Sequence, residues 1–439
     1  MTATDITTET WRNWAGLETA RPERVESPAD TAAIVAAVQR ARTEGSTVKM
    51  IGTGHSFTAI SAPEGTMLRP TKLGGILSVD RDAMTVTALA GTQLKSLNAQ
   101  LEVLGLSLHN MGDIAEQTLA GATSTGTHGT GGVAASLSAQ ICGLQLVTGT
   151  GEVVTATETE HPELLEFARV GLGALGVLTT LTFRVEPLFA LEATEAPMSW
   201  DEALDTFDER IAAHHHVDTY WFPHTDRMMT KTNDRLADLE TSPLPRWRSW
   251  WDDDFLSNSL FGALNHLTNA VPAMIPRFNQ VSSRMLSARS YSDVAHKVFV
   301  SPRTVVFREM EYAVPREAGL TALREARAAL DRSDLRITFP VEIRTTPADD
   351  IPLSTSTGRD SFYLAFHTHR DADHRAYFDL VEPIMRAHDG RPHWGKVHTR
   401  TAADLAPAYP RFAEFLALRD RLDPDRVFAN AYLRRVLGD

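Results

Sequence analysis

The segment Met50-Ile-Gly-Thr-Gly-His-Ser-Phe-Thr58 constrains the fold of this chain more than any other. An apolar, strand-like run (Val48, Met50, Ile51) ends in Gly52-Thr-Gly54, and His55 follows at once. Glycines at such a point let the backbone turn with φ > 0 and come close to a bound group. Successive N–H groups in the turn can form a nest for phosphate oxygens, with His55 beside whatever the loop holds. The plain alternative is a tight turn after a strand that binds nothing.

Two more glycine loops bear on that choice. Ala120-Gly-Ala-Thr-Ser-Thr-Gly-Thr-His-Gly-Thr-Gly-Gly132 mixes glycines with small hydroxylated residues. It suits a pyrophosphate or a ring edge packed on main chain, or else a surface loop. Gly171-Leu-Gly-Ala-Leu-Gly-Val177 lies between a helical and a strand-like segment, and either lines a nucleotide or forms a packing corner. Neither loop is a Walker P-loop, because no Gly-Lys-Ser/Thr follows. Neither has the strand–GxGxxG–helix setting of a Rossmann site.

The elements between these loops follow from apolar spacing. Ser27 is the expected N-cap and Pro28 the first residue of a helix whose apolar face is Ile34, Val35, Val38 and Ala41, closed by Gly45. Met84 to Ala90 alternates as a strand, and Leu94, Leu97, Leu101 and Leu104 mark a helix closed by Gly105. Ile141 to Thr155 predicts a hairpin around Gly149-Thr-Gly151, and His161 to Val170 a helix. Val177, Thr179, Leu181, Phe183 and Val185 alternate with Thr180, Thr182 and Arg184, and Pro187 stops that strand. Helices and strands mix without regular βα spacing, so the class is α+β. Near 187–192 the glycine loops stop and tryptophan and histidine become frequent, which marks a domain boundary.

Composition excludes several functions. A formal charge of −13 disfavours nucleic acid or an anionic membrane as the main partner. One cysteine, Cys142, rules out an internal disulfide and a cysteine-rich metal site. The opening Met1-Thr-Ala-Thr-Asp-Ile-Thr-Thr-Glu9 is too polar for a signal peptide, and no run of about 18 apolar residues is present. A cytoplasmic protein is expected. Trp247, Trp250 and Trp251 with Arg246 and Arg248 form an aromatic, basic patch, but Asp252 to Asp254 follow directly. Membrane contact is therefore expected to be peripheral at most.

Three loops together resemble one family. Gly52-Thr-Gly-His-Ser-Phe57, Thr125-Gly-Thr-His-Gly-Thr-Gly131 and Gly171 to Val177 are similar to the FAD domain, of PCMH type, in vanillyl-alcohol-oxidase type flavoproteins. Within that group they resemble the aldonolactone oxidoreductase and alditol oxidase branch. Trp11-Arg-Asn-Trp-Ala-Gly16, Phe339-Pro-Val-Glu-Ile-Arg344, Arg391-Pro-His-Trp-Gly-Lys396 and Asp423-Pro-Asp-Arg-Val-Phe428 fit the same branch, so the likeness covers nearly the whole chain. It implies an FAD domain over 1–188, a substrate domain over 189–400 and a C-terminal segment, 401–439, packing back on the FAD domain. It implies an FAD site made of Ile51, Gly52, Thr53, Gly54, His55, Ser56 and Phe57 in the first loop. Gly121, Ala122, Thr125, Gly126, His128 and Gly129 would serve from the second loop, Gly173, Gly176 and Val177 from the third, and Lys396 from the other domain. By resemblance His55 carries a covalent bond to the 8α-methyl of the flavin, which would raise the flavin's oxidising power.

The implied catalytic residues are Glu342, Arg344, His367 and Lys396. Glu342 and Arg344 lie two apart on an alternating strand and share a face, which alone would suit a solvated ion pair. The resemblance puts that pair beside the flavin, with Arg344 holding negative charge and Glu342 orienting it. Lys396 would stabilise the anionic reduced flavin or a developing oxyanion. His367 or Glu342 would take the substrate's hydroxyl proton while a hydride passes to flavin N5. His369 and Ala122 stand where alditol oxidases carry a threonine and a serine, which favours a lactone over a linear polyol. The implied reaction is oxidation of a sugar-acid 1,4-lactone (L-gulono-, L-galactono- or D-arabinono-), with electrons passing to O2 or another acceptor. The rivals are an alditol oxidase producing peroxide from xylitol or sorbitol, and a flavin-binding protein without turnover. No metal is expected: neither His367 with His369 nor His214-His-His216 shows ligand spacing with a carboxylate or cysteine.

Overall fold

Three short parallel strands, Arg24–Glu26, Thr66–Leu68 and Val48–Met50, carry the first glycine loop, with Thr66–Leu68 in the middle. The chain is seen here in a computed structural model that describes residues 9–133, 136–244, 275–276, 279–280, 283, 287–300 and 305–439. The Trp247–Asp254 patch lies outside these residues. Against the parallel strands packs a helix, Thr31–Glu44, that buries Ile34, Ala37, Val38 and Ala41. Its start differs from the expectation of Ser27 and Pro28. The Asp30 carboxylate accepts the Ala33 N–H at 2.8 Å, which supplies the cap and delays the helix to residue 31. Gly45 closes it in the left-handed region, φ 65°.

A five-stranded antiparallel sheet completes the first half, in the order Val153–Thr157, Ile141–Val147, Val177–Arg184, Thr85–Leu89, Ile76–Asp80. The hairpin at Gly149-Thr-Gly151 and the helices Leu94–Leu104 and Pro162–Ala168 lie where apolar spacing predicts them. The strand from Val177 ends at Arg184, before Pro187. Glu186 and Pro187 instead pair with Ser107 and Leu106. Half-buried Cys142 sits in the strand Ile141–Val147 and burial raises its thiol pKa, which fits a packing residue.

The second half is an eight-stranded antiparallel sheet. Its order is Arg289–Val294, Ala190–Ser199, Arg227–Arg235, His216–Trp221, Val341–Thr346, Ser361–His369, Phe307–Pro315, Arg391–Pro392. The fourth to seventh strands in that order alternate with period two and so give each face one character. One face presents Trp221, Val341, Ile343, Phe362, Leu364, Phe366, Met310 and Tyr312, all buried together with side chains from the helices Gly319–Arg332 and His374–Ala387. Each such apolar side chain stabilises by about 2 kcal/mol. The other face presents Asp218, Tyr220, Glu342, Arg344, His367, Glu309 and Glu311, because cross-strand partners share a face (Tyr220 with Glu342, Glu309 with His367). That face turns toward the glycine loops: Gly131 N–H donates to Thr345 O at 2.9 Å and Thr130 Oγ1 to Val217 O at 2.6 Å.

The last residues return to the first strands. Val48 N–H donates to Val427 O at 2.7 Å, and buried Lys49 donates from Nζ to Phe428 O at 2.7 Å. Burial lowers the Lys49 pKa to about 8, against the pull of Asp423. Val427 and Phe428 join Ile34, Val38, Val147 and Val177 in one apolar cluster. Asn430 Nδ2 donates to the carbonyls of Ala59, Ile60 and Ala62. No helix among the described residues is long and apolar enough to cross a membrane.

Candidate active site

A long cleft runs along the glycine loops. Val48 to Ser56, Gln117, Gly121, Ser124, Thr125, Gly173, Gly176, Val177 and Phe428 line it. Main chain forms much of its wall. Gly54 and Gly173 hold φ of 77° and 64°, and a Cβ at Gly52 would lie 2.8 Å from Thr118 Oγ1. At Gly176 a Cβ would come 2.7 Å from Val147 O. Side chains are thus excluded from a slot lined with backbone groups, which fits an extended dinucleotide such as FAD.

The cleft runs into a second cavity. His55, Ser56, Gln117 and Thr125 line both. The second cavity adds Trp14, Phe57, Asp113, His128, Phe307, Glu309, Glu311, Arg344, His367, His393 and Lys396. Trp14 stacks on His55 with ring centroids 5.6 Å apart, and Phe307 crosses Trp14 edge-on. Burial lowers the His55 pKa, so the ring favours its neutral form, which keeps a nitrogen lone pair.

The polar sheet face supplies paired charges. Arg344 donates from Nε to Asp218 Oδ1 at 2.8 Å and from Nη2 to Glu342 Oε1 at 2.6 Å, with Asp113 Oδ1 at 3.9 Å. Burial opposes its charge, yet Glu342, Asp218 and Asp113 together hold its pKa well above the ordinary value. Tyr220 OH also donates to Glu342 at 2.9 Å. Lys396 forms a buried ion pair with Glu309. Burial would strip its proton, but Glu309 and Glu311 outweigh that and raise its pKa. Burial would also raise Glu309, but the Lys396 ammonium beside it holds its carboxyl well below the usual range.

His128 donates from Nδ1 to Gly129 O at 2.9 Å and meets Glu311 Oε1 with Nε2 at 3.2 Å. Burial alone would raise Glu311, but the charge of His128 brings it down to about 2. Burial takes His393 down to about 3, against the pull of Glu311. Ligand atoms of His128, Glu311 and His393 lie within 4.8 Å of one another, close enough among the described residues for a metal. However, His393 Nδ1 accepts the Gly395 N–H at 3.0 Å, which leaves the ring proton on Nε2. His128 and Glu311 are thus an acid–base pair with His393 beside them, rather than a ligand set.

The expected residues divide by place. Ile51, Gly52, Thr53, Gly54, His55, Ser56, Gly121, Thr125, Gly173, Gly176 and Val177 line the cleft, and Phe57, His128, Arg344, His367 and Lys396 the polar cavity. Ala122 is fully buried in the core, and Gly129 packs its Cα side against Met111 O and Asn110. Gly126 turns with φ 75° beside Val170. Neither these three nor Glu342 is among the residues lining the two cavities. Glu342 acts on the cavity through Arg344. His369 sits at the end of its strand beside Asp371 and does not line the cavity either. Ala122 and His369 therefore carry no argument about the substrate. His214 caps the C-terminus of the helix Phe207–Ala213, and His216 opens a strand.

Sequence reading missed Glu309 and Glu311. Their signal was Phe307-Arg-Glu-Met-Glu-Tyr-Ala-Val-Pro315, which alternates acid with Met310 and Tyr312 in the pattern of Glu342 and Arg344. Asp113, Asp218 and Gln117 carried no comparable signal.

Residues 181–436 match the D-arabinono-1,4-lactone oxidase family, and residues 22–157 match an FAD binding domain. The chain belongs to the D-arabinono-1,4-lactone oxidase family. It is 40% identical to the L-gulono-1,4-lactone dehydrogenase of Mycobacterium tuberculosis over 98% of this chain and 99% of that one. It is 32% identical to the L-gulonolactone oxidase of Bos taurus, covering 97% and 98%. Cholesterol oxidase from Brevibacterium sterolicum shares the fold at a TM-score of 0.77 and 18% identity, covering 98% and 96%. The match over 22–157 and the shared fold make the first half an FAD-binding domain of PCMH type, as the loops implied, and the mixture of helices and strands is α+β, as the irregular spacing implied.

Proposed function

We propose that this chain oxidises a sugar-acid 1,4-lactone, of the L-gulono-, L-galactono- or D-arabinono- type, with bound FAD as the oxidant. One observation carries the reading: Arg344, Lys396 and His367 reach a single cavity that opens onto the backbone-lined cleft at His55. The gulonolactone-acting relatives support the substrate class. FAD, when bound, supplies the atom that takes the hydride. The loops at Gly52–Ser56, Gly121–Thr125 and Gly173–Val177 would hold its length, with the reacting end toward the polar cavity.

The residues divide the work. Arg344, fixed by Glu342 and Asp218, presents positive charge to the lactone oxygens. Lys396 would balance the negative charge that hydride transfer brings to the flavin, or that develops on the substrate oxygen as its proton leaves. His367 donates from Nδ1 to Pro340 O at 3.1 Å, which leaves the Nε2 lone pair facing the cavity. His367 is the proton acceptor of the pair considered, because Glu342 is already engaged by Arg344 and Tyr220.

Anaerobic mixing with a panel of lactones and alditols tests the reading. A 1,4-lactone is expected to bleach the flavin at least about 100-fold faster than xylitol or sorbitol. The reverse order would make the chain an alditol oxidase, and no bleaching by any compound would make it a flavin-binding protein. Reoxidation by O2 or by a dye then separates oxidase from dehydrogenase.

We further propose that His55 is joined covalently to the flavin. Its neutral, buried ring at the junction of cleft and cavity supports this. Acid precipitation should leave a yellow pellet from wild type and a colourless one from His55→Ala, with the flavin in the supernatant. A colourless wild-type pellet overturns the bond.

A further inference from the structure

Glu309 lines the polar cavity with no role assigned so far. It is 4% exposed and lies on the strand Phe307–Pro315, directly across from His367. Its Oε2 pairs with Lys396, and its Oε1 lies 3.6 Å from His367 Nε2. The main chain fixes both partners. Val397 N–H donates to Glu309 O at 2.9 Å, which ties the Lys396 segment to the strand. Pro340 O holds the Nδ1 proton of His367, so Nε2 is the nitrogen left to accept one.

That geometry has a direction. At 3.6 Å a neutral Nε2 and a carboxylate oxygen share no hydrogen bond, since neither carries a proton between them. Once Nε2 takes a proton, the same pair becomes an imidazolium facing a buried carboxylate, a charge-assisted contact. The other oxygen of Glu309 keeps Lys396 charged throughout. His367 shares the cavity with the charged groups Glu309, Glu311, Lys396, Arg344 and Asp113, and Glu309 is the carboxylate whose contact with His367 is direct.

We propose that Glu309 is a positioning residue that stabilises the proton His367 takes from the substrate hydroxyl while holding Lys396 in place. The balance is simple. The substrate C–H gives its hydride to the flavin, the O–H gives its proton to His367 Nε2, and the carbon–oxygen bond becomes a carbonyl. This rests on the lactone reading for its substrate, but its effect on His367 does not.

Glu309→Gln and Glu309→Asp test it in the FAD-loaded enzyme. With the best lactone of the panel, Glu309→Gln should slow flavin reduction about 100-fold, within the range expected for lost general-base assistance. Glu309→Asp, which keeps the charge, should recover at least about tenfold of that loss. In spectra of protein labelled with 15N-histidine, assigned through His367→Gln, the His367 ring should become imidazolium at lower pH in Glu309→Gln than in wild type. Reduction within about threefold of wild type, or an unchanged His367 titration, overturns the proposal. If Glu309→Gln does not fold, the double variant Glu309→Gln with Lys396→Met, which leaves no stranded partner in that ion pair, carries the titration, and a His367 titration equal to that of Lys396→Met alone overturns the proposal. If no lactone reduces the wild type, the function reading fails, while the histidine titration still decides the role of Glu309.

Discussion

Lys396→Met should slow reduction of the flavin by lactone about 10²- to 10³-fold, the loss typical of one preorganised charge-stabilising group. Lactone binding should change far less. The ammonium is held by Glu309 and lies 5.1 Å from the centre of the Phe57 ring, so it is aimed before any substrate arrives. Methionine keeps the length and apolar stem but removes the charge. Glu309 is then left buried without its lysine partner, and its carboxyl becomes easier to protonate. Rapid-mixing measurements at saturating lactone check this. A rate within about tenfold of wild type would mean that Lys396 acts only through packing.

Arg344→Met should be costly in a second way, because it strikes the fold as well as the reaction. Glu342 and Asp218 are 5% and 8% exposed, and the guanidinium lies between them. Removing a cation from such a buried group typically destabilises by about 3–5 kcal/mol, since carboxylates stay behind in a low dielectric. Urea unfolding of wild type and variant measures this directly, without substrate. A loss below about 1 kcal/mol would show that water reaches Glu342 and Asp218 as soon as the arginine is gone. The double change Glu342→Gln with Arg344→Met should recover part of the loss, because it leaves one fewer unpaired charge.

The two halves of the molecule were not equally legible. Gly52, Gly54, Gly121, Gly173 and Gly176 carry their geometry in their identity, since glycine most readily gives the positive φ or the close approach seen there. Glu342 with Arg344 was legible because both ends of the pair lie on one strand with period two. The same period marked Glu309 and Glu311, but their partners Lys396, His367 and His128 come from three distant segments. Nothing local announces such a partnership. Asp218 and Asp113 illustrate the same limit: each meets Arg344 only after separate segments converge. The start of the first helix was misread for a smaller reason. Ser27-Pro28 and Asp30 both suit a helix start, and the side chain that reaches a free N–H three residues on decides between them.

The returning C-terminal segment bears on the order of events during synthesis. Lys49 stands beside the first glycine loop, and the carbonyl that satisfies it belongs to Phe428, 379 residues later. Phe428 is also part of the cleft wall. A nascent chain that has released only its first half from the ribosome therefore has the loops of the dinucleotide slot but not its closing side. The cofactor is therefore expected to be captured in the finished geometry only after residue 428 has left the ribosome.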